Sequence, residues 1–310
     1  MREKKERALR RIEIATNCVP DLQACLSAYS NLLDYRIVDQ GHLPESLTDT
    51  WGTPNMAGMP YGLLQPASGA DVYLRFIETG NAGGFWPPVT QGWLSTEILA
   101  TDPDALLTKL TQESNSAPTS AGFKHVSGPL DLYPSLKSAR ALQMAGPAGE
   151  LMYFTRILPG GSRFGLHGAQ CFVDRPFIIM LGGASIAALE TFYGDALGLR
   201  IWPQEPFQIR QMSKALELPV ETTYPISMAR IPGRSFMLEL EELPSDVERR
   251  AVPDGQLPEG LAMISFTSAP LSELKLQYRA APRTIDLLPY EGRNVAVLEG
   301  PAGEWLELID

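Results

Sequence analysis

The pentapeptide Gly146-Pro147-Ala148-Gly149-Glu150 returns unchanged as Gly300-Pro301-Ala302-Gly303-Glu304. Internal repetition constrains architecture more than any single element, because each copy must build the same unit. Each pentapeptide runs into a strand-like stretch, Leu151-Met152-Tyr153-Phe154 and Trp305-Leu306-Glu307-Leu308. A second pair of matches shares one offset of 164 residues. Asp21, ahead of a helix containing Ala28-Tyr29, falls on Ser185, ahead of Phe192-Tyr193. Both are N-cap residues whose side-chain oxygens can accept from a free backbone N–H. The strand Val72–Glu78 falls on Phe236–Glu242 at the same offset.

Each half divides again. Thr96–Leu107 reads as strand, turn and helix start, and Ile264–Leu274 reads the same way. The chain is therefore predicted to be α+β and built from four βαβββ units, at about 12–80, 92–157, 170–243 and 258–310. Gly/Pro-rich joints separate them, including Pro87-Pro88 and Pro159-Gly160-Gly161-Ser162. Each sheet buries one face and needs a second unit to complete its curvature. Pairing consecutive units gives two domains, 8–158 and 165–310. An unrelated α+β protein with chance similarities is the competing reading.

Composition narrows the partners. Hydrophobic residues make up 44% of 310 and charged residues 20%, which excludes a disordered chain or a coiled coil. The longest apolar run, Phe177–Leu181, is far short of the ~20 residues that span a bilayer, and reads as a buried strand. The charged start, Met1–Arg7, lacks the apolar core of a signal peptide, so a cytoplasmic location is expected. The basic residues clustered in the first eleven positions, interleaved with Glu, read as a solvated helical lead-in. A net charge of −10 with no basic stripe argues against nucleic acid. Cys18, Cys25 and Cys171 form no CxxC, and His42, His125 and His167 are the only histidines. Cys18 on a strand and Cys25 on a helix read as core residues.

A helix ending Phe192-Tyr193-Gly194-Asp195-Ala196-Leu197-Gly198-Leu199, followed later by Gly-Pro-Ala-Gly-Glu-Trp-Leu-Glu-Leu, resembles the vicinal oxygen chelate superfamily. Glyoxalase I, bleomycin-resistance proteins and extradiol dioxygenases share that fold. The resemblance covers nearly the whole chain after residue 11. It implies that paired βαβββ units form cupped, incomplete barrels with a ligand site inside. It also implies metal ligands, usually His, Gln or Glu, on inward-facing positions of the first and last strands of each unit. Here those positions fall on Ile14, Arg75, Ser95 and Tyr153, and on Ile178, Glu239, Met263 and Glu307. A one-residue slip would flip a side chain to the other face, whereas a slip of two keeps it. Ile, Arg and Met are poor donors for divalent metals, so no metal cofactor is expected. If a cation does bind, Glu239 and Glu307 are its candidate ligands.

The remaining polar groups suggest a metal-independent site in the first domain. His125, Glu97 and Tyr153 are the candidate catalytic residues. His or Glu could move a proton, and Tyr could donate to a developing oxyanion. Arg75 offers a planar fork for an anionic oxygen. Ser95, Trp51, Trp86 and Trp93 complete the candidate substrate contacts. The plainer readings are that Arg75 pairs with Glu97 or Glu78, that His125 is exposed, and that Tyr153 belongs to the core. Met180, Met212, Met228, Met237 and Met263 suggest an apolar core or ligand cup in the second half. The expected activity is a lyase, isomerase or hydrolase step on an aromatic or carbonyl-containing compound. Sequestration of an apolar molecule, as in bleomycin resistance, and a metal-dependent dioxygenase or glyoxalase reaction are the alternatives. The partners expected are a small molecule and, for assembly, a second copy in a homodimer, with no membrane.

Overall fold

The computed structural model describes residues 7–80, 89–116, 122–132, 139–160, 165–232 and 236–310. Its strands fall into four units. The first holds β1 (Leu9–Val19), β2 (Arg36–His42), β3 (Pro60–Gln65) and β4 (Tyr73–Glu78). The second holds β5 (Gly92–Ala100), β6 (Lys124–Asp131), β7 (Ala139–Ala145) and β8 (Leu151–Ile157). The third holds β9 (Val173–Gly183), β10 (Arg200–Pro203), a small hairpin of β11 (Phe207–Gln208) and β12 (Thr223–Tyr224), β13 (Ile226–Arg230) and β14 (Met237–Glu242). The fourth holds β15 (Gly260–Ser268), β16 (Arg283–Ile285), β17 (Arg293–Glu299) and β18 (Trp305–Ile309).

Helix α1 (Leu22–Leu33) follows β1, and α2 (Glu45–Trp51) is inserted between β2 and β3. Helix α3 (Pro103–Ser116) follows β5, and α4 (Ile186–Glu190), continued by a π-helical turn at Thr191–Ala196, follows β9. Helix α5 (Arg210–Ala215) lies between β11 and β12. The predicted start at residue 12 is late, because β1 already begins at Leu9. Leu9–Arg11 is strand and not the helical lead-in expected there.

The pairing of units differs from the consecutive scheme. One eight-stranded sheet runs β16-β17-β18-β15-β1-β4-β3-β2, and the other β10-β13-β14-β9-β5-β8-β7-β6. The first unit thus joins the fourth through antiparallel β1 and β15, and the second joins the third through β5 and β9. The expected domains 8–158 and 165–310 are not the sheet-forming pairs. A repeat offset establishes that units are equivalent; it carries no information on whose first strand pairs with whose.

Period-two alternation splits each sheet into two faces. One face of each, with the helices, enters a single core. It includes Leu74, Phe76, Ile264 and Phe266 from one sheet and Phe154, Ile179, Leu238 and Leu240 from the other. Trp93 belongs to this core, where its Nε1 donates to the carbonyl of Trp305 at 2.8 Å. The opposite faces form two cups.

The repeated motifs have identifiable jobs. Asp21 Oδ1 accepts from the Ala24 N–H at 2.9 Å, and Ser185 Oγ from Ala188 at 3.3 Å. Glu78 and Glu242, also 164 residues apart, accept from the first helical N–H groups, those of Leu22 at 2.9 Å and Ile186 at 2.8 Å. In the pentapeptide, Glu150 Oε2 accepts from its own turn at Ala148, and Oε1 from the Tyr29 hydroxyl of α1 at 2.8 Å. Glu304 repeats this with Ala302 and with Tyr193 at 2.9 Å. A Cβ at Gly146 or Gly300 would fall 2.0 Å from the carboxylate, so only glycine fits there. Tyr29 thereby ties the first unit to the second, and Tyr193 ties the third to the fourth. Burial pushes both carboxyls up to about 7, against the lowering effect of these hydrogen bonds.

Candidate functional site

The cup of the first and fourth units is closed by its own side chains. Registration puts Thr16 beside Arg75 and Ser265 beside Glu307. Arg75 donates to Thr16 Oγ1 from Nε at 3.1 Å and Nη2 at 2.9 Å, and to Tyr290 Oη at 2.5 Å. Its Nη2 lies 3.4 Å from Glu307. Glu307 also accepts from Trp51 Nε1 at 2.6 Å, from Tyr290 Oη at 2.9 Å, and from Ser265. The guanidinium lies 4.6 Å from the Trp51 ring centroid, a cation–π arrangement.

Trp51 arrives at the end of the inserted α2, and Tyr290 from the β16–β17 connection. Around them pack Ile14, Leu47, Met56, Met263 and Trp305. Arg75, Trp51, Tyr290 and Glu307 are all at most 2% exposed. A ligand would have to displace a buried ion pair and an indole.

The cup of the second and third units is also largely buried, but among the described residues no ion pair neutralises its acids. On β5, Ser95 and Glu97 point into it; on β8, Tyr153 and Thr155; on β14, Glu239 and Glu241. The opposite faces of these strands supply Ile98, Phe154, Leu238 and Leu240 to the shared core. Register places Glu97 beside Tyr153, Ser95 beside Met180, and Met180 beside Glu239. Glu97 is one strand removed from Glu239, with β9 between them.

Glu97 accepts from Thr155 Oγ1. Tyr153 Oη accepts from Gln143 Nε2 at 2.7 Å, and Gln143 Oε1 in turn accepts from Ser127 at 3.2 Å. Gln143 therefore turns the Tyr153 hydroxyl into a donor available to the cup. Ser95 Oγ lies 2.8 Å from the Met180 sulfur. Glu239 and Glu241 have no hydrogen-bonding or ion-pairing partner among the described residues. Ile178, Met228 and Met237 provide apolar walls, and Met212 on α5 packs with Tyr224, Leu243 and Val247 in a smaller cluster.

Electrostatics follow from burial. Glu97 is pushed up to about 8, chiefly by desolvation, with the charge of Glu239 adding to it and Thr155 opposing. Desolvation also raises Glu239 to about 7, and Glu241 further above the usual carboxylate range. Tyr153 is held protonated by burial and by the neighbouring acids.

The structure thus separates residues expected together. Glu97, Tyr153 and Ser95 share one cup, whereas Arg75 and Trp51 sit in the other. His125 joins neither: it is exposed on the edge strand β6, its Nε2 2.9 Å from the Gly128 carbonyl. Trp93 is buried between the sheets. Trp86 lies outside the described residues. Glu239 and Glu307, the candidate cation ligands, belong to different cups.

Sequence reasoning missed Gln143, Thr155 and Glu241 as neighbours of Tyr153 and Glu97. Period-two spacing from Glu239 and Tyr153 was the signal that could have found Glu241 and Thr155. The inward first-strand positions are Thr16, Glu97, Met180 and Ser265, two along from Ile14, Ser95, Ile178 and Met263.

Neither cup fits a divalent metal of the kind the resemblance implies. One presents Thr16, Arg75, Ser265 and Glu307, with the carboxylate already bonded to a cation. The other presents Glu97, Glu239 and Glu241 with Tyr153 and Met180, three acids that do not come together around one point, with a phenol and a thioether. Such ions want several N or O donors around one point. No three His, Cys, Asp or Glu side chains converge to hold a metal among the described residues.

No protein-family model matches the sequence, and no curated protein matches it. Solved structures do. Glyoxalase I from Zea mays superimposes with a TM-score of 0.62 at 14% identity, over 97% of this chain and 92% of that one. A candidate dioxygenase from Bacillus subtilis gives 0.61 at 12% identity, over 98% and 86%. Identities this low speak to fold alone. With four βαβββ units, two shared sheets and both of these likenesses spanning nearly the whole chain, the protein has the fold of the vicinal oxygen chelate superfamily.

Proposed function

We propose that the chain binds a small organic molecule in the cup of the second and third units and moves a proton on it without a resident metal. The observation that carries this is the pair of buried Glu97 and half-buried Glu239, on strands separated only by β9 and both pushed up by desolvation toward neutral pH. Paired titratable groups are a recurrent acid/base arrangement. Desolvation brings both carboxyls toward neutral pH, so that one can hold a proton while the other is ionised.

Ionised Glu239 takes a proton from one atom of the ligand, and protonated Glu97 gives one to another. The ligand is isomerised, the two carboxyls exchange states, and solvent returns them. The Tyr153 hydroxyl, oriented by Gln143, donates to a ligand oxygen as charge develops. Met180, Met228 and Ile178 contact its apolar part.

The test is capture from a defined library of carbonyl and amine compounds by native mass spectrometry, then incubation of the captured compound in D2O. The wild-type chain should catalyse deuterium incorporation, and Glu97→Gln should not. Capture without exchange in the wild type would assign the cup to sequestration instead.

A further inference from the structure

We infer that the molecule taken by this cup is an organic cation, an ammonium group carried on an apolar or aromatic body. The inference rests on the reading that the cup of the second and third units is the ligand site, and adds the charge of what it takes. Three carboxyls, Glu97, Glu239 and Glu241, enter one concave face from two units. The independent pointer is Glu241. It is only 3% exposed, shares the cup-facing side of β14 with Glu239 and Met237, and has no partner among the described residues.

A carboxyl this buried, with no protein donor among the described residues and only solvent at its rim, is costly to ionise, and strand positions that face a core normally carry apolar groups. Among the described residues no cation is one of the groups acting on these three acids; burial, Thr155 and one another are the causes of their shifts. By alternation, Arg200 and Arg230 share this sheet face. They stand opposite each other at the β10–β13 end, Arg200 over the Trp202 ring at 4.5 Å and Arg230 registered with Met237. An incoming ammonium would supply the missing donors. The Tyr153 ring and the thioethers of Met180 and Met228 suit its apolar body, since aromatic faces and soft sulfur accommodate cations and hydrocarbon alike.

Three soluble probes of one shape and different charge test this on the full chain by calorimetry: 2-phenylethylamine, 2-phenylethanol and phenylacetate. The amine should bind and the other two should bind at least about tenfold more weakly. Its affinity should rise about tenfold between pH 6 and 8, as the carboxyls ionise. Both Glu241→Gln and the partly exposed Glu239→Gln should weaken it by about tenfold or more. Glu239→Gln keeps the test open if the Glu241 variant fails to fold. If the alcohol binds as tightly as the amine, and Tyr153→Phe weakens both, the charge inference fails while the cup stands as the ligand site. If no probe binds, or binding ignores all three substitutions, both are overturned.

Discussion

Arg75 and Glu307 lie 3.4 Å apart in a cup that neither shares with solvent, one from the first unit and one from the last. Their contact is a consequence of β1 pairing with β15 across almost the whole chain. It fills with an internal ion pair the place where a second ligand site could have been.

Breaking that pair leaves a buried charge alone, which typically costs ~3–5 kcal/mol. Glu307→Gln and Arg75→Ala should each lower stability by about that amount in urea denaturation. The apolar double variant Arg75→Met/Glu307→Leu should lose much less, because replacing both partners removes the desolvation penalty with the attraction. None of the three should change ligand affinity in the other cup.

The Tyr–Glu clasps should be equivalent. Tyr29→Phe and Tyr193→Phe each remove one hydrogen bond to a buried carboxyl, for a loss of ~1–3 kcal/mol. Gly146→Ala should cost more than Tyr29→Phe, since the new methyl meets the Glu150 carboxylate and the turn must shift. Chemical denaturation of the three variants checks the order. Equal, negligible effects would show that the clasps do not hold the units together.

Stability should fall as pH rises. Glu97, Glu150, Glu239, Glu241 and Glu304 all have folded-state values raised above the ordinary carboxylate value. Between that value and about 8, the folded chain binds more protons than the unfolded one, so each rise in pH favours unfolding. The contribution is fully present below pH 4 and is lost on passing through 7 to 8. The melting temperature should be higher at pH 5.5 than at pH 8.5. Glu97→Gln should flatten the slope, each pKa unit removed being worth about 1.4 kcal/mol.

Metal removal should be without effect. Elemental analysis should find no stoichiometric transition metal, and chelator should leave the melting temperature unchanged. One equivalent of iron, manganese or zinc that disappears in Glu239→Gln would overturn the metal-independent reading.

The fold was readable because its signals are local and repeated. The caps at Asp21 and Ser185, the strand pair ending in Glu78 and Glu242, and the Gly-Pro-Ala-Gly-Glu turns each perform the same bond twice. The site was only partly readable, because it depends on long-range pairing. Arg75 had Glu78 and Glu97 as local candidates for a partner, but Glu78 caps α1 and Glu97 lies in the other sheet. Trp51 reached the site through the inserted α2, whose direction no periodicity fixes. Glu97 and Tyr153 were correctly placed on one face, since they belong to one unit and alternation suffices. Their acidic neighbours on β14 come from the next unit, and only the β5–β9 ladder brings them there.

The most direct test of the central claim, that one cup works and the other is sealed, is a crystal structure of the chain soaked with 2-phenylethylamine. The account predicts the amine in the cup of the second and third units, its nitrogen within hydrogen-bonding distance of Glu239 or Glu241. Trp51 should remain seated on Arg75 and Glu307. The amine in the other cup, with Trp51 displaced and Glu97, Glu239 and Glu241 untouched, would contradict it.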